Sequence, residues 1–310
     1  MAIFYNTDRL PDFKNAVVTI GTFDGVHLGH KVILDQVVGY AKNIDGESIL
    51  LTFEPHPRKL LFPDQPIKII TPLEQKLELV TGAGIQHIIV VPFTKAFADL
   101  SADAYIKDFL VKQIKTKHII IGYDHRFGND RKGDINLLKE YASECNYSIH
   151  EISAQLIDNA AVSSTKIRNS LLAGNVTDAN AMLGRPYSFI GNVVHGTQLG
   201  RTIGYPTANM KPIADEQLIP AEGVYAIQAK WNKQLLNGML NIGYRPTVTN
   251  EMRLKIEANL FNFNENIYNQ TLEIIFIKRL RDEEKFPSID ALKEQLGRDA
   301  ENAKSILQSL

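Results

Sequence analysis

Ala16-Val-Val-Thr-Ile20, Gly21-Thr-Phe-Asp-Gly-Val-His-Leu-Gly-His30 and Lys31-Val-Ile-Leu-Asp-Gln-Val-Val-Gly-Tyr-Ala41 follow one another without a break. The first segment is an apolar run with the character of a buried strand. In the third, apolar residues recur at helical spacing. The ten residues between them therefore form a strand-to-helix turn. Free backbone N–H groups and the positive end of a helix dipole meet there and favour anions. Gly29 removes a side chain where a nucleotide would come close. His27 and His30 add donors for phosphate without a permanent charge. A purely structural histidine pair at a helix start fits the same residues. Zinc does not, because no Cys or carboxylate stands nearby at ligand spacing.

Outward from this turn, strands alternate with helical stretches to about residue 150. Strands are expected at Ala16–Ile20, Ser48–Phe53, His87–Pro92, His118–Gly122 and Tyr147–Ile152. Helices are expected at Lys31–Lys42, Pro72–Thr81, Ala102–Ile114 and Ile135–Ser143, with Ser101 and Asp134 as caps. This order implies a parallel sheet covered on both faces, with ligands beyond its C-terminal edge. From Tyr187 the pattern changes. Tyr187–His195, Gly223–Trp231, Leu235–Ile242, Leu254–Phe263 and Leu272–Leu280 suit strands of an antiparallel sheet or small barrel, and Asn232-Lys233 suits a tight hairpin. A terminal amphipathic helix follows, capped by Ser288, with Ile289, Leu292, Leu296, Ala300, Ala303 and Ile306 on one face. The fold class is thus α/β followed by all-β, with the boundary at Leu183-Gly-Arg-Pro-Tyr187.

Composition narrows the function classes. The 310 residues carry a formal net charge of −1, which gives no global attraction to nucleic acid or anionic membrane. Phosphorylated ligands must be held by local groups. Cys145 is the single cysteine, so there is no intrachain disulfide and no cysteine-rich metal site, and a reducing cytoplasm is expected. The first residues lack the basic and apolar regions of a secretory signal, and no apolar run is long enough to cross a bilayer. No obligate protein partner is indicated.

Other segments bear groups suited to phosphate chemistry. Thr52-Phe-Glu-Pro-His-Pro-Arg58 ends the second strand in a loop stiffened by two prolines. Gly122-Tyr-Asp-His-Arg-Phe-Gly128 ends the fourth at the same edge; Asp124 suits either a turn or a ribose hydroxyl. Ser163-Ser-Thr-Lys-Ile-Arg168 is either an ordinary helix cap with surface cations or a triphosphate cradle of hydroxyls, N–H groups and guanidinium. No G-x-x-x-x-G-K-[ST] loop is present, which disfavours a Walker-type ATPase. In Gly191–Asn209, Gly196, Gly200 and Gly204 are too closely spaced for an ordinary strand and define a shaped loop. With Arg201 it is competent to hold phosphate. Thr207 and Asn209 offer hard oxygen ligands suited to magnesium, and a glycine-rich turn with solvated polar groups is the alternative. In Lys255–Phe263, alternation puts Ile256, Ala258 and Leu260 on one face and Lys255, Glu257 and Asn259 on the other, where a lone glutamate is ordinarily solvated.

Taken together, these strings resemble a known family. GTFDGVHLGH is similar to the signature of the HxGH nucleotidyltransferases, and in this form to the bacterial bifunctional riboflavin kinase/FMN adenylyltransferases (FAD synthetases). The resemblance spans nearly the whole chain. It implies a Rossmann-like adenylyltransferase domain over 1–184 and a small riboflavin kinase β-barrel with a terminal helix over 185–310. It further implies that His27 and His30 serve catalysis and that Gly21, Phe23, Asp24, Gly29, Asp124, Ser164, Thr165 and Arg168 hold ATP. His56, Arg58 and Phe127 become candidates for flavin or its phosphate. In the second half, the resemblance gives Gly196, Gly200, Arg201, Gly204, Thr207 and Asn209 to the kinase ATP site. Thr207 and Asn209 then hold magnesium, and Glu257 receives the flavin hydroxyl proton. Arg279 or Arg281 belongs by resemblance to a flap over flavin and nucleotide, with no choice made between them. His125, Asn259 and Asn262 depart from the family pattern. The implied partners are riboflavin, FMN and ATP, with FAD as final product and Mg2+ as cofactor. Two rivals are a kinase whose first domain only binds nucleotide, and a non-catalytic flavin-storage protein.

Overall fold

The computed structural model describes residues 2–123, 125–153, 162–196, 200, 203–246 and 252–309. The chain divides into two compact units, Met1–Ser163 and Ser164–Leu310.

In the first unit, β1 (Ala2–Phe4), β2 (Val17–Ile20), β3 (Ser48–Glu54), β4 (His87–Pro92), β5 (His118–Gly122) and β6 (Ser148–Ile152) form one sheet in the order β1-β4-β3-β2-β5-β6. Every pairing in it is parallel. The helices are α1 (Leu28–Asn43), α2 (Pro57–Leu61), α3 (Leu73–Gly82), α4 (Lys95–Ala98), α5 (Ala102–Ala104) and α6 (Ile135–Cys145). α5 runs on as a π-helix over Tyr105–Gln113, a widened turn where an ordinary α-helix is expected from the spacing.

The largely unbroken apolar runs of the central strands β2, β3, β4 and β5 follow from burial on both faces. On one side, Val18, Ile20, Ile49, Leu51, Ile119 and Ile121 pack with Tyr105, Phe109 and Leu138. On the other, Val17, Leu50, Ile88, Val90 and Ile120 pack with Leu34 and Val37 of α1 and Leu77 and Val80 of α3. The chain leaves β2 for β3 and β4 on one side and places β5 and β6 on the other. The switch point therefore lies between β2 and β5, and the turns that leave these strands face the crevice where ligands bind in such sheets.

The second unit begins with α7 (Ser164–Leu172) and α8 (Val176–Leu183). A closed antiparallel barrel follows, built from β7 (Tyr187–Val194), β8 (Ala208–Pro212), β9 (Gly223–Trp231), β10 (Gln234–Pro246), β11 (Met252–Leu260) and β12 (Thr271–Arg281) in the order β10-β11-β8-β7-β12-β9. The terminal helix α9 (Ile289–Gln308) lies on it. Asn232 and Lys233 join β9 to β10 with φ of 46° and 67°, the left-handed pair of a type I′ hairpin.

Ser101, Asp134 and Ser288 cap their helices as expected. Two readings need correction, and one strand was missed. Ile289 is 61% exposed and does not belong to the buried face of α9, which is formed by Ala300, Ala303 and Leu307. It is the first residue after the cap, before the helix reaches the barrel. Asn209 lies on a strand, not in a loop, because Ala208–Pro212 pairs with both β7 and β11. The short edge strand β1 carries too few residues to show alternation and was not expected.

Candidate functional sites

The turn after β2 is tightly built. His27 caps α1, its Nδ1 accepting from the His30 backbone N–H at 3.2 Å. The two imidazoles stack with centroids 3.6 Å apart, and Phe23 lies 4.7 Å from His30. A Cβ on Gly29 would sit 3.2 Å from the His27 ring, so the glycine lets that ring lie across the first turn of α1. The same Cβ position is 3.8 Å from the Val162 carbonyl. The segment that leads into the Ser163–Arg168 motif thus passes beside the histidine turn.

Phe23, Gly25 and Val26 have φ of 48°, 91° and 40°. Left-handed backbone is costly for non-glycine residues and worst for a β-branched one. Such a turn persists only if its surroundings fix it. Asp24, 3% exposed, supplies part of that hold, accepting from the N–H of Ile70 at 3.0 Å and of Thr71 at 3.0 Å. It is placed as a buried tie beneath the turn. Gly21 leaves room for the Phe23 ring, 3.0 Å from where a Cβ would stand.

His56 caps α2 through Nδ1, and Arg58 is exposed beside it. After β5, Phe127 is 6% exposed and stacks on Tyr105 at 4.8 Å, and the His125 ring lies near parallel to it at 5.9 Å. An aromatic stack is therefore kept despite the His125 departure, while Phe127 itself is part of the core. Asp124 lies outside the described residues. Ser164, Thr165 and Arg168 occupy the first turns of α7, with Thr165 exposed and Ser164 and Arg168 half-buried.

In the barrel, the register sets Glu257 of β11 opposite Asn209 of β8 on one side and Asn241 of β10 on the other. The Thr207 hydroxyl donates to Glu257 Oε1 at 3.4 Å, and Lys255 Nζ is 2.7 Å from the same oxygen. Thr207, Asn209 and Glu257, chosen from separate strings of sequence, thus come together. Gly196 is needed there because a Cβ would run into the Asn209 amide. A Cβ on Gly200 would likewise strike the Tyr205 carbonyl, whereas Gly204 faces open space with φ of 87°. Arg201 lies outside the described residues. Thr207 also lines a cavity of ≈570 Å³, together with Ala258, Leu260, Phe263, Ile267 and Tyr268 among others; Ala258 and Leu260 lie on the face of β11 opposite to Glu257.

Sequence reasoning placed Asn259 on a solvated face. It is 7% exposed and donates from Nδ2 to the Pro206 carbonyl at 2.7 Å, anchoring the loop that delivers Thr207. Asn262 takes φ of 54° in the turn after β11, a conformation asparagine tolerates. Arg279 donates to the Glu222 carbonyl and pairs with Asp282 at 2.8 Å. Gly174 makes room for it, its Cβ position being 2.7 Å from Arg279 Nε. Arg281 binds Asp299 of α9 through Nε and Nη2 at 3.0 and 2.8 Å. Both arginines are thus held by ties within this unit.

Comparison with known proteins agrees with this division of chemistry. The FAD synthetase family model matches residues 10–166, and the riboflavin kinase model matches 183–307. A bifunctional riboflavin kinase/FMN adenylyltransferase of Buchnera aphidicola is 39% identical, with 94% of each chain covered. One from Haemophilus influenzae is 35% identical, with 98% of each covered. Among solved structures, a chain described as a macrolide-efflux protein from Streptococcus pneumoniae matches with a TM-score of 0.85 at 30% identity, covering 96% of each. Among the described residues no helix is long and apolar enough to cross a membrane. On these matches, which run almost end to end, the chain belongs to the bifunctional riboflavin kinase/FMN adenylyltransferase family.

Proposed function

We propose that the chain makes FAD in two steps at two separate sites. In the barrel, the terminal hydroxyl of riboflavin attacks the γ-phosphorus of ATP. Its proton passes to Glu257, the bond to ADP breaks, and FMN forms. A neutral alcohol gains from such a positioned base. In the first half, a phosphate oxygen of FMN attacks the α-phosphorus of a second ATP, and pyrophosphate leaves. That nucleophile is already an anion and needs no strong base. The work is alignment of polyanions and neutralisation of developing charge. His27, His30, the start of α1 and the Ser164, Thr165 and Arg168 motif carry those functions in this reading, which is why residues 1–184 are assigned to adenylyl transfer and 185–310 to the kinase.

The observation that carries the proposal is the meeting of Thr207, Asn209 and Glu257, with Thr207 also lining a cavity, in a chain that also has the stacked His27–His30 pair. A hydroxyl and an amide oxygen fit magnesium delivered with ATP phosphates. When bound, magnesium neutralises phosphate charge. Thr207 and Asn209 would hold it, and Asn259 fixes the loop that presents Thr207. We assign the protein to the cytoplasm, in keeping with its single cysteine.

The test is purified protein with riboflavin, ATP and magnesium, with products separated by chromatography. FMN should appear first and FAD after it. FMN without FAD would leave only the kinase; bound riboflavin without either product would mark a storage protein.

A further inference from the structure

Lys76 is 5% exposed, and nothing in the chemistry above uses it. It projects from α3, and its Nζ donates to the Thr22 carbonyl at 3.2 Å and to Thr52 Oγ1 at 3.1 Å. Thr52 Oγ1 in turn donates to the same Thr22 carbonyl at 3.2 Å, closing a triangle between α3, the end of β3 and the turn after β2. A buried ammonium is costly unless it is hydrogen-bonded and compensated. Burial pushes this one below the ordinary lysine value, while the carboxylates of Glu54 and Asp24 pull it back up. A lysine placed so expensively calls for a task.

The turn itself supplies one. Thr22 precedes the left-handed residues Phe23, Gly25 and Val26, and the same turn delivers His27 and His30 to α1. Beneath it, the segment that contains Ile70, Thr71 and Lys76 grips twice. Two backbone N–H groups hold the Asp24 carboxylate, and the Lys76 ammonium holds the Thr22 carbonyl. The first grip places an anion under an anion-binding turn. The second brings a cation to offset it.

We propose that Lys76 is a positioning residue for adenylyl transfer: its buried ammonium clamps the Thr22 carbonyl and balances Asp24, so that the strained turn holds Phe23, His27 and His30 in the geometry that receives ATP. This rests on the assignment of adenylyl transfer to the His27–His30 turn.

The experiment uses the full chain with Lys76→Met, Lys76→Arg, Thr52→Val and His27→Ala, and assays FAD formation from FMN and FMN formation from riboflavin on each preparation. In Lys76→Met, the KM for ATP in FAD formation should rise about tenfold or more and kcat should fall, since small misplacements of a binding constellation are costly. Kinase constants should stay at the parent values. Lys76→Arg should recover part of the ATP affinity, and Thr52→Val, which keeps the lysine but removes one acceptor, should raise the KM less. A loss of kcat at unchanged KM, matching the unfolded fraction seen in thermal melts, would mean mere structural support and overturn the proposal. So would unchanged constants in both Lys76→Met and Thr52→Val. If Lys76→Met is too unstable to assay, Thr52→Val decides. Retained FAD formation in His27→Ala would instead remove the underlying assignment, whatever the Lys76 variants do.

Discussion

At the scale of single residues, the two reactions are separable. Glu257→Gln keeps the side-chain shape and removes the proposed base, so FMN formation should fall about 100-fold or more while FAD formation from supplied FMN continues. His27→Ala removes the α1 cap and, on the proposed function, a phosphate partner, and should do the reverse. Product chromatography on the two variants, each given riboflavin and then FMN, checks both outcomes. Gly196→Ala is a sharper probe. Its methyl would run into the Asn209 amide, so the KM for ATP in the kinase reaction should rise while adenylyl transfer is unaffected. Family resemblance, carried by the strings around them, singled out Thr207, Asn209 and Glu257, where residue type alone left them as solvated polar groups. Neither could show that Asn259 is a buried anchor of Pro206, since alternation along β11 says which side a residue faces but not what covers that side.

At the scale of elements, local chemistry explains where most segments begin. Ser288 Oγ accepts from the Ala291 N–H at 3.1 Å and starts α9. Ser288→Ala should therefore cost about 1 kcal/mol, seen as a lower denaturation midpoint, with the loss falling on kinase activity because α9 packs on the barrel. Apolar runs gave the central strands β2 to β5 almost to the residue because they are covered on both faces. Periodicity failed where the signal is short or special. β1 is a three-residue edge strand, and β8 is hidden inside a string whose glycines suggest only loop. The π-helical turn over Tyr105–Gln113 has the same apolar spacing as an α-helix; its wider hydrogen-bond step leaves no mark in composition.

At the scale of the whole molecule, each unit is closed by contacts between distant segments. Arg281 of β12 and Asp299 of α9 form a pair in which the carboxylate is 4% exposed, and Gln295 Nε2 donates to it as well at 2.8 Å. Arg281→Met would leave that carboxylate buried without its cation and should cost about 3 kcal/mol or more. Chemical denaturation followed by the two assays should show kinase activity lost at lower denaturant than in the parent, with adenylyl transfer lost where it was before. The sequence by itself determined the two architectures and marked the strand-to-helix turn that carries His27 and His30. These depend on hydrophobic period and on residue types a few positions apart, which act between chain neighbours. Only the tertiary structure decided that Asp24 and Lys76 grip the turn from below, that Asn259 anchors the Pro206 loop, and that Arg281 fastens α9. Each of these partners is brought in from a distant stretch of chain by packing, and no local pattern records which side chain will arrive.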